Sequence, residues 1–521
     1  MQITALGHSC VLLSFQTANN QEVKILVDPW LSDHATGDAM GRFPRLRFSW
    51  EAFGSIDGIY ISHAHCDHLD PYTLTRIWKE MDSPPVLIIP ESLSYLIPLF
   101  ERYLRSPEIL VLTAHAPTLF RGVELLGFYN VDPSSSNEDD VMILVITNKK
   151  ERVLIEVDAR LALDLLNFRD FVRMLMRDPV IESAVFLTTE NELYGTVESR
   201  RCENADERKE LQDVAFTEML ESVHHLYIPI EDPEDLWQGD HILRLIHGQG
   251  LTAPQELDPR WQKILFPVRI ADRVQAERQI STENGCRHNI DSLTVGNCHT
   301  IEKGKIVTST IVHGLTLLDM EETRNFDPQL DFFPPLLTGP LHLEKRNFQD
   351  QHSRIIALLN HTFLPYLHGN QQPPFLHLLG DNDGRYHIRI HYGYTPNTSV
   401  KDYVIDFKNL QFDHRDFVES FPDEAYWAND IEDILDGKCD EFTLICRQQF
   451  PTQQMRLWEC LSTPLLNHRF VQKRVRLHFE RAAKGLTPGS WILPFYNTAQ
   501  KRQSEANYLC TNDEGLEKRL Y

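Results

Sequence analysis

The chain has 521 residues, room for roughly two to four domains. At 42% hydrophobic and 24% charged residues it can bury a core, which excludes wholesale disorder. With 75 acidic against 51 basic residues the formal charge is −24, a field that repels phosphate backbones and anionic membranes. No nucleic-acid or membrane partner is therefore expected, although a local basic pocket for an anionic small molecule is not excluded.

From the amino terminus, Met1 to Ala5 leads straight into a strand pattern without the basic region and apolar stretch of a signal. No run of about 18 apolar residues follows anywhere, so no membrane span is expected. Cys10–Phe15, Val23–Val27 and Gly58–Ser62 read as strands, Tyr72–Lys79 as a helix and Pro85–Pro90 as a further strand. Ile109–Leu112, Val123–Phe128, Val141–Thr147 and Arg152–Val157 continue the strand series, Leu161–Met176 has helical spacing, and Ala184–Leu187 and Leu226–Ile230 read as buried strands. Strands packed with helices over about 240 residues predict an α/β sandwich.

The texture then changes. Leu257–Asp319 is poor in helix signals and carries Cys286, His288, Cys298, His299 and His313 among Thr, Val and Gly. Asp327–Pro340 reads as a linker. His352–Leu367 is an amphipathic helix candidate, 374–412 carries strands, Phe417–Asp436 and Met455–Ala482 are helical stretches, and the tail after Thr498 is polar. The division predicted is 1–255, 256–330 and 341–500, the last an α+β module of unread role. Nine scattered cysteines do not suggest a disulfide framework, and a reduced, cytoplasmic enzyme is the expectation.

One segment carries clear chemistry: His63-Ala64-His65-Cys66-Asp67-His68, after the strand Gly58–Ser62 and before the turn Asp70-Pro71. A chain leaving a strand and turning tightly into a helix brings such side chains to one point. His63 and His65 then share one metal while Asp67 and His68 face a second; imidazole and carboxylate suit zinc or iron. Asp67 is the catalytic candidate, orienting a metal-activated water.

Together with Leu6-Gly7-His8-Ser9 and Ile25-Leu26-Val27-Asp28-Pro29-Trp30-Leu31, this segment resembles the metallo-β-lactamase superfamily, which implies an αββα sandwich. The resemblance implies that Asp158, after Val153–Val157, bridges the metals, that His8 lies near the site and that Asp28 braces the loop. Two family positions differ. Asn130 or Asp132 stands where a third histidine is usual, and Glu231 follows Ile228-Pro229-Ile230 where the last histidine is usual. His224, His225 or His241 are alternative nitrogen donors. Oxygen ligands at these places would favour iron or manganese over zinc.

Asp28-Pro29-Trp30-Leu31, Ile59–His63, Asp402–Phe407 and Met455–Trp458 are also similar to CMP-N-acetylneuraminate hydroxylase, a family joining such a domain to a Rieske iron–sulfur domain. Its Rieske pattern is matched by Cys286-Arg287-His288 and by His313-Gly314, but Thr310 stands in place of the second cysteine, so no [2Fe–2S] cluster is expected. The segment reads as a Rieske fold without its cluster, as a zinc site using Cys286, His288, Cys298 and His299 or His313, or as an accidental match. The predicted order is thus a metallo-β-lactamase sandwich, a Rieske-like β segment and an α+β carboxy-terminal module.

Three functions stay open. One is an oxygenase-like enzyme with one or two metal ions, acting on a nucleotide-sugar or related acidic metabolite and supplied by an electron-donor protein. Another is hydrolysis of a phosphodiester or lactone. The third is an inactive scaffold or sensor. Arg45 and Arg47, beside Arg42 in a loop expected to overhang the metals, are candidates for holding an anionic substrate.

Overall fold

The computed structural model describes residues 1–35, 41–129, 140–159, 166–190, 205–227, 238–252, 268–318, 344–369, 379, 383–393, 399–408, 411–416, 422–439, 441, 444, 456–462 and 464–486. Two mixed sheets pack face to face. The first runs, in spatial order, Lys305–Ile311, Asn297–Glu302, Gln2–Gly7, Cys10–Gln16, Glu22–Val27, Gly58–Tyr60, Val86–Pro90 and Ile109–Leu112. The second runs Arg287–Ser292, Gln238–Gly248, Ser183–Glu190, Glu151–Val157, Met142–Thr147, Val123–Tyr129 and Thr118–Phe120.

Alternation along each strand assigns the faces. Ile25 and Val27 join Leu125, Leu144, Ile155 and Phe186 in the core that includes the space between the sheets. Leu26 points the other way, with Ile59, Ile61 and Leu87, under the helix Pro71–Glu80. That helix starts where Asp70 accepts from Tyr72 N at 3.0 Å and from Thr73 Oγ1 at 2.6 Å, and it buries Leu74, Ile77 and Trp78 on one stripe. Leu166–Met176, Ala205–Tyr227 and Ile270–Glu283 send Val172, Met176, Ala215, Met219, Val223, Val274 and Ile280 into the core that holds the second sheet. The result is an αββα sandwich. No helix among the described residues is long and apolar enough to cross a membrane.

The expected separate β domain over 256–330 is corrected. Arg287–Ser292 pairs parallel with Gln238–Gly248 in the second sheet, and Asn297–Glu302 pairs antiparallel with Gln2–Gly7 in the first, Ile3 lying opposite His299. These strands complete the sandwich instead of forming a body of their own. The expected strand Leu226–Ile230 is also corrected at its start, since Leu226 and Tyr227 end the helix Ala205–Tyr227, while 228–230 lie outside the described residues. Buried Ala215, Met219, Val223 and Tyr227 recur every four residues, a helical stripe. In Phe417–Asp436, expected to be helical, Glu424–Trp427 is a strand and the helix is Ala428–Asp436.

The carboxy-terminal module has a four-stranded sheet, ordered Gln411–Asp416, Ser399–Asp406, Arg385–Tyr392 and Glu424–Trp427, packed with helices around its own core of Ile355, Phe363, Tyr386, Ile388 and Leu457. Within that core Glu424 accepts from the Tyr386 and Tyr426 hydroxyls and from Leu457 N. Burial nevertheless pushes its carboxyl up to about 7. A carboxyl raised on folding contributes stability in full below its unfolded value and loses it as pH rises through the folded one. Between about pH 4.5 and 7 the module should therefore weaken by on the order of 3 kcal/mol. Glu424→Gln, which cannot ionise, should flatten that fall in a series of urea midpoints against pH.

The long helix Pro464–Ala483 joins the two bodies. Phe470 belongs to the module's core, while Val471, Val475 and Phe479 complete the outer core of the first sheet. Tyr103 donates to Glu480 at 3.0 Å and stacks on Phe479, and Gln472 donates to the Tyr95 carbonyl at 2.8 Å.

Candidate metal centre

Four chain segments meet at one end of the sandwich. They are the turn after Gln2–Gly7, the loop after Gly58–Tyr60, the residue after Glu151–Val157 and the last residues of Gln238–Gly248. They deliver His8, His63 to His68, Asp158 and His247. The backbone is tightly shaped there. His8, Asp28 and Val157 have φ of 50°, 42° and 54°, a left-handed region that costs a β-branched residue such as Val157 most. A Cβ on Gly250 would lie 2.3 Å from His8 N, so only glycine lets the 248–252 turn pass this close.

His63, His68 and Asp158 bring ligand atoms within 4.8 Å of one another, as do His8, Asp67 and His68. Asp158 Oδ2 is 2.7 Å from His68 Nε2 and 3.8 Å from His63 Nε2. Asp67 Oδ2 accepts from His8 Nε2 at 3.0 Å, and Asp67 Oδ1 is 3.9 Å from His68 Nε2. His65 belongs to neither three-ligand group; its ring lies edge-on to His63 with centroids 4.4 Å apart.

The hydrogen bonds assign the imidazole tautomers. Ser62 donates from N and Oγ to Asp28, at 2.7 and 2.6 Å, so Ser62 Oγ accepts from His63 Nδ1 at 2.9 Å. His68 Nδ1 donates to Asp28 Oδ2 at 3.0 Å, and His247 Nδ1 to the His8 carbonyl at 3.0 Å. All three rings donate from Nδ1; His63 and His247 turn a lone pair outward on Nε2, whereas His68, without a cation, also holds a proton on Nε2 against Asp158 Oδ2 at 2.7 Å. His63 Nε2 and His247 Nε2 are buried without a hydrogen-bond partner, which costs about 1–3 kcal/mol each for a buried polar atom. Bound cations would give each of them a partner, and the donor set fits metal ions.

Electrostatics agree. Burial favours the neutral acid at Asp67 and Asp158, but the neighbouring His68 outweighs it and holds both carboxyls below their ordinary range. Burial lowers His68, yet Asp158, Asp67 and Asp28 together raise it well above the usual value. Burial and the adjacent His68 and His65 rings lower His63, and burial takes His247 down to about 4. Neutral His63 and His247 and ionised Asp67 and Asp158 have the protonation that metal ligation requires, and a cation would replace the Nε2 proton of His68.

His247 escaped the sequence reading. Its signal was the apolar run Ile242-Leu243-Arg244-Leu245-Ile246 ending in His-Gly, obscured by Arg244, which is buried and paired with Glu277 at 2.7 Å. Of the other histidines expected as donors, His225 has a side chain outside the described residues. His241 Nε2 faces the Met176 carbonyl at 3.2 Å, and His224 sits exposed on the helix Ala205–Tyr227. Asn130, Asp132 and Glu231 lie outside the described residues.

The Rieske-like side chains are spread out. His288 Nε2 meets the Tyr227 hydroxyl at 3.2 Å, His299 Nε2 accepts from Thr294 N at 3.1 Å, and His313 is exposed. Thr310 lies opposite Cys298 on the neighbouring strand. Among the described residues, no three of Cys286, His288, Cys298, His299 and His313 gather as metal ligands. The arginine loop offers three different settings. Arg42 is buried and donates to the Leu6, Trp30 and Pro44 carbonyls. Exposed Arg47 is held by Asp33 through two bonds of 3.0 and 3.1 Å, and Arg45 is half-buried.

The two-sheet sandwich with this cluster at one end resembles the metallo-β-lactamase superfamily. No family model matches the chain. By sequence, 131 residues are 32% identical to a Mycolicibacterium smegmatis protein whose name calls it a Rieske 2Fe-2S iron–sulfur protein; the match covers 25% of this chain. It spans only 19% of that relative's length. A Mycobacterium tuberculosis protein of similar name is 32% identical over 92 residues, 18% of this chain and 16% of its own length. Among solved structures, CmlA, a diiron β-hydroxylase from Streptomyces venezuelae, aligns with TM-score 0.33 and 14% identity over 58% of this chain and 54% of its own. The metallo-β-lactamase-fold protein YhfI from Bacillus subtilis aligns with TM-score 0.29 and 13% identity over 57% of this chain and 99% of its own.

Proposed function

We propose that this chain is a metal-dependent enzyme holding up to two cations. His63 and His65 serve one, Asp67, His68 and His247 the other, and Asp158 serves both. The observation that carries this reading is the set of three imidazoles whose Nδ1 atoms are each spoken for by an oxygen, with Asp158 Oδ2 at 2.7 and 3.8 Å from the Nε2 atoms of His68 and His63. A surface cluster of histidines has no reason to be buried or to fix its tautomers.

Such cations, when bound, polarise a substrate oxygen and activate water or, in the case of iron, dioxygen. The protein's own residues orient and hold. Asp67, kept well below the ordinary carboxylate range, is a poor proton acceptor and acts by ligation and orientation. Asp158 is the more open of the two carboxylates, its side chain 15% exposed against 7% for Asp67, so the substrate approaches from its side.

Oxygen activation is the reaction we favour. It is supported by the sequence similarity to proteins named for Rieske iron–sulfur centres. Because Cys286, His288 and His313 do not gather, electrons would come from a separate donor protein. The resemblance to CMP-N-acetylneuraminate hydroxylase suggests a nucleotide-sugar or related acidic metabolite; Arg42 and Arg47, both engaged, lend that no support. Hydrolysis of a phosphodiester or lactone is the second reading, supported by the complete His-x-His-x-Asp-His spacing. Metal analysis of protein purified anaerobically tests all of this. Iron supports oxygenation, zinc at about two equivalents supports hydrolysis, and a metal-free protein that takes up neither ends the enzymatic reading in favour of a scaffold.

A further inference from the structure

The loop that carries the metal-binding side chains is gripped from the carboxy-terminal module. Arg474, on the helix Pro464–Ala483, donates through Nη2 to the carbonyl of Ala64, the residue between His63 and His65, at 2.5 Å. Through Nη1 the same guanidinium meets both carboxylate oxygens of Glu441 at 2.6 Å. The two side chains are only 5% and 6% exposed, and Ala64 is 1% exposed. A buried guanidinium that divides its donors between a carboxylate and one backbone carbonyl has little freedom to shift. The carbonyl it holds lies one peptide from each leading histidine, in a stretch that is neither helix nor strand.

Neighbouring contacts of that helix are of another kind. Val471, Val475 and Phe479 bury apolar surface, and Tyr103 and Gln472 bond elements away from the loop. Apolar docking would hold the module in place without Arg474. A buried charge pair is a weak source of stability for its own sake, since desolvation offsets much of its attraction.

We propose that Arg474 is a positioning residue for His63 and His65, so that the metal centre is completed by the carboxy-terminal module and not by the sandwich alone. This rests on the metal-binding reading above. The test uses the full chain loaded with cobalt(II), whose visible absorption reports coordination geometry and whose affinity is measured by competition with a chelator. Arg474→Met combined with Glu441→Gln removes both charges together and leaves neither ion buried alone. Arg474→Lys keeps a charge beside Glu441 but loses the fork. Tyr103→Phe is the control, weakening the docking of the same helix without touching the loop.

The double variant should bind cobalt about 10–100-fold more weakly, with an altered spectrum. Arg474→Lys should fall between it and the unaltered protein. Tyr103→Phe should lower the urea midpoint and leave affinity and spectrum unchanged. The proposal is overturned if the double variant folds and keeps the original spectrum and affinity, or if Tyr103→Phe weakens cobalt as much as it does. Should the double variant not fold, Arg474→Lys alone decides on the same two readouts. Failure of the unaltered chain to take up cobalt, zinc or iron would instead remove the metal reading on which this inference stands.

Discussion

Asp158→Ala should leave a protein that keeps at most about one of two metals, measured as bound iron, zinc or manganese per chain after dialysis. Asp158 Oδ2 lies between His68 Nε2 and His63 Nε2, the place from which a single carboxylate reaches both halves of the cluster. The fold spends strain to put it there, since Val157 turns through φ of 54° immediately before it, at about 1–3 kcal/mol for such a conformation. In the metal-free protein the same substitution removes one of the three carboxylates that raise His68. His68 should then titrate nearer its ordinary value, visible in the NMR shift of its ring protons against pH. If Asp158 were only the ion-pair partner of His68, the metal stoichiometry would survive and the His68 titration alone would move. Unchanged stoichiometry sinks the bridging assignment.

The part of this arrangement that could be read in the sequence is the part held in local chain order. His63, His65, Asp67 and His68 fall within six residues after an apolar run, and that spacing predicts a cluster, of which His63, Asp67 and His68 enter the three-ligand groups and His65 does not. Asp158 follows from the family resemblance, which implies a metal-bridging carboxylate just after the strand Glu151–Val157. Both local helix signals around the cluster, Asp70 as cap and Pro71 in the first turn, are also visible without the fold.

What was not legible depends on pairing across long stretches of chain. Asn297–Glu302 reads as an isolated strand with a stray Cys-His pair, and only its register with Gln2–Gly7, nearly the length of the sandwich away, makes it part of the first sheet. Cys286-Arg287-His288 has the spacing of a cluster-binding loop, but His288 is built into the strand Arg287–Ser292 and its ring meets the Tyr227 hydroxyl on another element. Arg244 breaks the apolar run before His247 for a reason that lies in Glu277 on another element. The bond from Arg474 to Ala64 joins residues 410 positions apart, and no local pattern announces it.

Asp28→Asn is expected to separate geometry from fold most sharply. Asp28 is fully buried, and its two oxygens receive Ser62 N, Ser62 Oγ and His68 Nδ1. It thus sets His68 directly and His63 through Ser62. Asparagine has the same shape and keeps one oxygen for Ser62 N, so the urea midpoint should change little. Its amide nitrogen, however, presents hydrogens where Oδ2 accepted them. His68 must then accept on Nδ1 and carry its proton on Nε2, the atom that faces the metal, and a protonated nitrogen cannot ligate. Ser62 Oγ likewise loses its acceptor and can turn its hydrogen toward His63 Nδ1, which imposes the same reversal on the second ring. Metal affinity should fall by about 10–100-fold or more, the range seen for lost partners of ligating histidines. Asp28→Ala should lose affinity as well, but together with stability, because it leaves buried donors unsatisfied at about 1–3 kcal/mol each. An Asp28→Asn protein that binds metal as tightly as the unaltered chain would mean that the imidazole tautomers are not fixed by this carboxylate, and the strongest support for a cation at His63 and His68 would be gone.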